Sequence, residues 1–313
     1  MQVHYNIDQL PDFKNAALTI GTFDGVHEGH RRILKQLKEE AKAIKGESVL
    51  ITFYPHPRRV VGDTSGVKLL TTLEEKSELL KAEGVDHLVV VPFDEGFSKM
   101  PADAYITEFL WKKLKPSTVI IGYDHKFGKG RKGDYQLLER YGNELGFEVK
   151  EIPEHILQEV VISSTAIRKA LLHCDTTIAN NFLGYPYFIN GTVIQGDKIG
   201  RTIGYPTANI QVNHEEKLVP GDGVYAVKLD VAEGPSEWQS LEGMLYIGSR
   251  PVVNGTRRVI EVNIFDFDSD IYGKQLKVCF YNYIRGDIHF KGLEGLKEQL
   301  ADDKVKVMDA LRQ

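Results

Sequence analysis

Two histidines three positions apart, His27 and His30, lie within the run Gly21-Thr22-Phe23-Asp24-Gly25-Val26-His27-Glu28-Gly29-His30. The run follows an apolar stretch over 16–20 and precedes an amphipathic one over 29–44, so it reads as a turn between a strand and a helix. Gly21 and Gly25 let the backbone turn tightly and approach a ligand. A helix start adds unpaired N–H groups and a partial positive charge, which together make an anion site. Both imidazoles can then face one phosphate chain from the same side. No Gly-Lys-Ser/Thr follows, so the run is not a Walker A loop. Zinc held by these histidines and His56 is the competing reading, and the usual thiolate or carboxylate ligands are missing nearby.

A second element, Ile162-Ser163-Ser164-Thr165-Ala166-Ile167-Arg168, places hydroxyls at a helix start and an arginine one turn later. Ser164, Thr165 and Arg168 suit a departing pyrophosphate. Taken alone the element is an ordinary N-cap; paired with the histidine run it becomes specific. Further along, Gly196, Gly200 and Gly204 lead into Tyr205-Pro206-Thr207-Ala208-Asn209. Glycine-rich turns between strands carry little weight by themselves. Thr207 and Asn209 are more telling, because a hydroxyl and an amide oxygen are hard ligands for magnesium on ATP. In 261–265, strand alternation puts Glu261, Asn263 and Phe265 on one face.

These residues need elements to hold them. Apolar runs over 16–20, 49–53, 87–91, 119–121 and 147–152 alternate with helical stretches over 29–44, 101–114 and 135–144. Thr72-Leu73-Glu74-Glu75 forms a capping-box signature opening another helix, with Gly84 placed to end it, and Pro101 suits a first helical turn. Such alternation implies a Rossmann-like α/β domain with a parallel sheet and ligands outside the carboxyl ends of its strands. After about residue 182 the texture changes to short β-rich segments over 188–194, 224–231, 244–247, 259–265 and 276–284, separated by Gly-rich turns. That pattern implies a small antiparallel β-barrel, closed by a helix over 293–311. The expected domains are 1–182 and 183–313.

With 313 residues the chain has room for two ordinary domains, and 42% hydrophobic residues suffice for two cores. A net charge of −5 gives no general pull toward nucleic acid or anionic membrane, so any polyanion must be held by local donors. The two cysteines, Cys174 and Cys279, form neither a CxxC nor a zinc spacing, which fits a reducing compartment. Nothing in 1–13 reads as a signal peptide and no apolar run has bilayer length, so the expected location is cytoplasmic. Oligomeric state is not legible in the sequence.

The chain resembles the bacterial bifunctional riboflavin kinase/FMN adenylyltransferase family over nearly its whole length. The His-x-Gly-His run and the 162–168 element carry this, with Thr52-Phe53-Tyr54-Pro55-His56-Pro57 and Gly122-Tyr123-Asp124-His125-Lys126-Phe127-Gly128 between them. The resemblance implies that Phe53, Pro55, His56, Pro57, Asp124, Phe127 and Gly128 line the flavin and adenine sides of an adenylylation site, and that Gly21, Phe23, Asp24, Gly25, Ser164 and Thr165 hold ATP. In the second half it implies ATP binding by Gly196, Gly200, Gly204 and Pro206, metal ligation by Thr207 and Asn209, flavin contacts from Arg285 and Asp287, and catalysis by Glu261. The chain departs from the family pattern at His125, at Pro251-Val252-Val253, at Asn263 and at Arg285-Gly286-Asp287-Ile288-His289-Phe290.

The implied chemistry is ATP-dependent conversion of riboflavin to FMN and of FMN to FAD, with Mg2+ accompanying ATP. The FMN phosphate is a nucleophile already largely ionised at pH 7, because its second pKa is about 6. Adenylylation therefore needs charge stabilisers (His27, His30, Ser164, Thr165 and Arg168) more than a base. The ribityl hydroxyl of riboflavin is a weak nucleophile, and there a base such as Glu261 helps. Two alternatives stand beside this reading: an adenylyltransferase whose second module binds flavin without turnover, and a flavin-sensing or carrier protein.

Overall fold

Four short strands carry almost unbroken apolar runs because both faces of their sheet are covered. They are β2 (Ala17–Ile20), β3 (Ser48–Tyr54), β4 (His87–Pro92) and β5 (Thr118–Gly122), flanked by β1 (Gln2–His4) and β6 (Glu148–Ile152). The computed structural model describes residues 1–313 except 62–66, 124, 153–161, 197–198, 235–236, 253–254, 289, 291 and 313, and leaves out the side chains of 199, 250–252 and 255–257. Among the described residues the six strands form one parallel sheet in the order β1-β4-β3-β2-β5-β6.

Strand alternation divides the core in two. Leu18, Ile20, Val49, Ile51, Val89, Val91, Val119 and Ile121 pack on one face with Phe109, Leu110 and Leu138. Ala17, Leu50, Leu88, Val90 and Ile120 pack on the other with Leu34, Leu37 and Leu80. The second face is covered by α1 (Glu28–Ala43) and α2 (Leu73–Ala82). The first is covered by α3, which starts as Ala102–Ala104 and continues as a π-helix over Tyr105–Leu114, and by α4 (Tyr135–Leu145). The capping box forms as expected: Thr72 Oγ accepts from Glu75 N at 3.2 Å, and Glu75 accepts from Thr72 N at 2.9 Å. Pro101 is the N-cap of α3 and not a residue of its first turn.

By packing, the chain divides into Met1–Ser164 and Thr165–Gln313. Two helices that the texture of the sequence groups with the first half, α5 (Ser164–Leu172, from Thr165 on) and α6 (Thr176–Leu183), belong by packing to the second unit. Leu171 O accepts from Gly221 N at 2.9 Å, and Asn180 Nδ2 donates to Phe280 O at 2.9 Å. Local patterning cannot reveal this, because the partners lie 50 and 100 positions away.

The second unit is a closed antiparallel barrel in the order β10-β11-β8-β7-β12-β9. Its strands are β7 (Phe188–Ile194), β8 (Ala208–Val212), β9 (Gly223–Ala232), β10 (Trp238–Val252), β11 (Gly255–Ile264) and β12 (Gln275–Arg285). The helix α7 (Leu293–Leu311) packs Val307 and Leu311 against Ala226, Met244 and Phe265. β10 is far longer than the expected 244–247. Its polar residues and Gly243 lower local strand preference, but pairing with β9 and β11 on both sides overrides that. Leu50 is fully buried in the first unit, so Leu50→Ala should lower stability by about 2–5 kcal/mol. Denaturant unfolding of the full chain measures the loss, and single-tryptophan variants that keep either Trp111 of the first unit or Trp238 of the second read out whether it stays in the first unit.

Candidate active sites

In the first unit the chain steps from β2 to β3 and β4 on one side, then returns to β5 on the other side of β2. That reversal makes a topological switch point, where ligands bind at the carboxyl ends of strands. The histidine run follows β2, the Tyr54–Pro57 stretch follows β3 and Gly122–Gly128 follows β5, so all three motifs reach the same edge.

The loop between β2 and α1 is strained. Phe23, Gly25 and Val26 have φ of 46°, 87° and 38°, a region that a β-branched residue rarely visits. Asp24 holds the loop from within: its carboxylate accepts from Leu70 N at 3.0 Å, Thr71 N at 3.0 Å and the Thr71 hydroxyl at 3.3 Å. Gly25 N donates back to Thr71 Oγ at 3.1 Å. The carboxylate expected at the nucleotide is thus buried against the 70–71 backbone. Ser164, the last residue of the first unit, donates its Oγ to Asp24 O at 3.0 Å.

His27 is the N-cap of α1, where its Nδ1 accepts from His30 N at 3.3 Å. The two imidazoles stack with centroids 3.6 Å apart, and Phe23 lies 4.7 Å from His30. Burial, with His27 and Lys76 alongside, holds the His30 pKa well below the usual imidazole value. Its Nδ1 is buried with no hydrogen-bond partner among the described residues. Thr165 and Arg168 lie further along α5, within the second unit.

Phe53 and Phe127 belong to one chain of ring contacts: Phe53–Phe97 at 5.9 Å, Phe97–Tyr105 at 5.9 Å and Tyr105–Phe127 at 5.1 Å. Phe93, Phe97 and Tyr105 were not anticipated. The first two could have been found from their place directly after the apolar run of β4. Gly128, at φ 72°, lies so close to α3 that a Cβ there would meet Ala102 Cα at 2.6 Å. His56 caps a short 3-10 turn, Pro57–Arg59, accepting from Arg58 N at 3.2 Å. Pro55 is exposed beside it, and Asp124 lies outside the described residues.

In the barrel, pairing of β11 with β8 sets Glu261 opposite Asn209. A cavity of about 810 Å³ collects Glu261, Asn263, Thr207, Asn209, Gly196, Gly200, Arg285 and Asp287. A second cavity of about 350 Å³ lies against Pro206, Val262, Ile264 and the 267–272 turn, and Thr207 borders both. Glu261 and Asn263 share one strand face as expected, whereas Phe265 turns to the core under α7. Asn263 Nδ2 donates to Pro206 O at 2.7 Å, anchoring the turn that carries Thr207. Arg285 is held by Asp303 of α7, with Nη2 donating at 2.6 Å and Nε at 2.9 Å, and Asp287 accepts from the Tyr246 hydroxyl at 3.0 Å. Gly204, at φ 83°, lines neither cavity. The side chain of Val252 and all of His289 lie outside the description.

The family model described as FAD synthetase matches residues 10–166, and the one described as riboflavin kinase matches 183–311. The chain is 38% identical to the bifunctional riboflavin kinase/FMN adenylyltransferase of Escherichia coli (strain K12), over 96% of this chain and 94% of that protein. The chain belongs to the bifunctional riboflavin kinase/FMN adenylyltransferase family. The protein so named in Bacillus subtilis (strain 168) is 37% identical over 92% of this chain and 90% of its own length. The backbone also matches a crystal structure titled as a macrolide-efflux protein from Streptococcus pneumoniae, with a TM-score of 0.86, 28% identity and 98% of each chain covered. Among the described residues no helix is long and apolar enough to cross a membrane. Both family models are therefore matched within one chain, one over each half.

Two outcomes follow. In the ligand-free protein His30 should titrate below pH 6.5, staying neutral as pH falls through the ordinary imidazole range, and added ATP should raise its midpoint by favouring the charged form; imidazole NMR measures both. A Cβ on Gly196 would lie 2.0 Å from Asn209 Nδ2, so Gly196→Ala should displace that amide and slow FMN formation by roughly tenfold or more. Adenylylation of supplied FMN is the internal control.

Proposed function

We propose that the barrel phosphorylates riboflavin at the Glu261 cavity and that the β2–α1 loop then adenylylates the FMN product. The observation that carries the first step is the register of Glu261 opposite Asn209, with Thr207 on the wall between two cavities. The larger cavity is of a size to take the isoalloxazine and ribityl chain, and the smaller one the base of ATP. Glu261 accepts the proton of the 5′-hydroxyl, the freed oxygen attacks the γ-phosphorus, and ADP leaves. Thr207 Oγ and Asn209 Oδ1 are hard donors suited to Mg2+ on ATP, and the missing Cβ at Gly196 leaves room for that amide. When bound, the ion neutralises phosphate charge. Arg285 and Asp287, steadied by Asp303 and Tyr246, are assigned to the flavin rim.

In the first unit the FMN phosphate attacks the α-phosphorus of ATP and pyrophosphate leaves. His27 and His30 stabilise the charge that builds there, and Ser164, Thr165 and Arg168 are assigned to the leaving group. Gly21, Phe23 and Gly25 shape the phosphate loop, and Asp24 contributes through its hold on that loop. The aromatic chain from Phe53 to Phe127 is the flavin wall, with Pro55, His56, Pro57 and Gly128 assigned beside it, and Asp124 is assigned to the same flavin and adenine binding. In terms of activity, 1–182 carries the adenylyltransferase and 183–313 the kinase. ATP, riboflavin and FMN are the partners, in the cytoplasm, which is consistent with two free cysteines.

The test incubates the full chain with riboflavin, ATP and Mg2+ and follows the flavins by chromatography. Glu261→Gln should cut FMN formation by ~100-fold while sparing FAD formation from supplied FMN. His30→Ala should do the converse, by ~100-fold or more. Equal loss of both activities in either variant contradicts two independent sites.

A further inference from the structure

One buried cation plays no part in the chemistry just assigned. Lys76 of α2, 6% exposed, ends beneath the β2–α1 loop. Its Nζ donates to Thr22 O at 2.6 Å and to Thr52 Oγ at 3.3 Å, and the fully buried Thr52 hydroxyl itself donates to Thr22 O at 3.2 Å. Two donors thus converge on a single loop carbonyl. That carbonyl immediately precedes the strained stretch from Phe23 to Val26.

Taking an ammonium out of water is unfavourable, and buried ion pairs are often replaced by apolar side chains of similar size without loss of stability. Fold stability alone is therefore a poor reason for a lysine here. Burial does depress its pKa to about 8, against the opposing pull of the Asp24 carboxylate. The charge also reaches the active imidazole, since Lys76 is among the groups that lower His30.

A polyanion at the loop mouth meets backbone N–H groups favourably and backbone carbonyls unfavourably. Turning Thr22 O inward removes one such carbonyl from the phosphate side. We infer that Lys76 is a positioning residue for adenylyl transfer: by pinning Thr22 O inward it sets the loop conformation in which His27 and His30 meet the triphosphate. Asp24 and Thr71 hold the loop from 24 to 25, and Lys76 with Thr52 holds it at 22. Lys76 acts through the loop and touches no reacting atom.

The inference rests on the loop being the adenylylation site, and the test separates the two. In the full chain, Lys76→Met should lower kcat for FAD formation from supplied FMN by roughly 30-fold. KM for FMN should stay within about twofold, because the aromatic wall is untouched. Riboflavin phosphorylation and the melting temperature should not fall. Thr52→Val, which keeps the ammonium but removes its helper, should give a smaller loss in kcat with the same unchanged KM. Transfer by Lys76→Met within about threefold of the parent, or a loss that comes with a lowered melting temperature, overturns the inference. If His30→Ala also leaves transfer intact, it is the site assignment that fails.

Discussion

The first unit depends on a loop that would not hold its own shape. Phe23 and Val26 sit in left-handed backbone, and each such residue costs of order 1–3 kcal/mol unless its surroundings impose it. The imposition comes from three directions: Asp24 gripping the 70–71 backbone, Thr71 taking Gly25 N, and Lys76 with Thr52 taking Thr22 O. The segment 70–76 therefore braces this loop as well as opening α2. With the loop so held, His27 falls on the N-cap of α1 and His30 stacks on it. A net charge of −5 offers a polyanion nothing over distance, so the proposed reaction leaves the holding to this local arrangement of N–H groups and imidazoles.

The barrel meets the same requirement by register. Side chains alternate across a strand, so pairing β11 with β8 sends Glu261, Asn263 and Asn209 toward one cavity and Val262, Ala208 and Ile264 toward the other. A slip of one residue would reverse both faces. Thr207, just before β8, borders both cavities, and in the proposed reaction the phosphate chain crosses there from nucleotide to flavin. The departure at Asn263 finds its reason here, since its amide tethers Pro206 O and with it the turn that carries Thr207.

Much of this was legible beforehand because it is local. The His27–His30 spacing, the Thr72–Glu75 box, the Thr207–Asn209 pair and the face bearing Glu261 each depend on a few neighbouring residues and one periodicity. The parallel sheet and the barrel followed from strand–helix alternation giving way to closely spaced strands. The family resemblance drew on the same short motifs, and its two domain types are the ones that match this chain.

What the sequence by itself determined is which candidate groups share a helix or strand face and which elements carry them, since spacing along a helix or strand translates directly into a shared face. Only the tertiary structure decided who holds those groups in place. Lys76 meets Thr22 across 54 positions, Asp24 meets Leu70 across 46, and Asp303 of α7 fixes Arg285 across 18. It also decided that α5 and α6 pack with the barrel, and that Phe97 and Tyr105 join Phe53 to Phe127. Such contacts depend on chain closure over long loops, whose partners are selected by packing and burial, and no local pattern of residues encodes that selection.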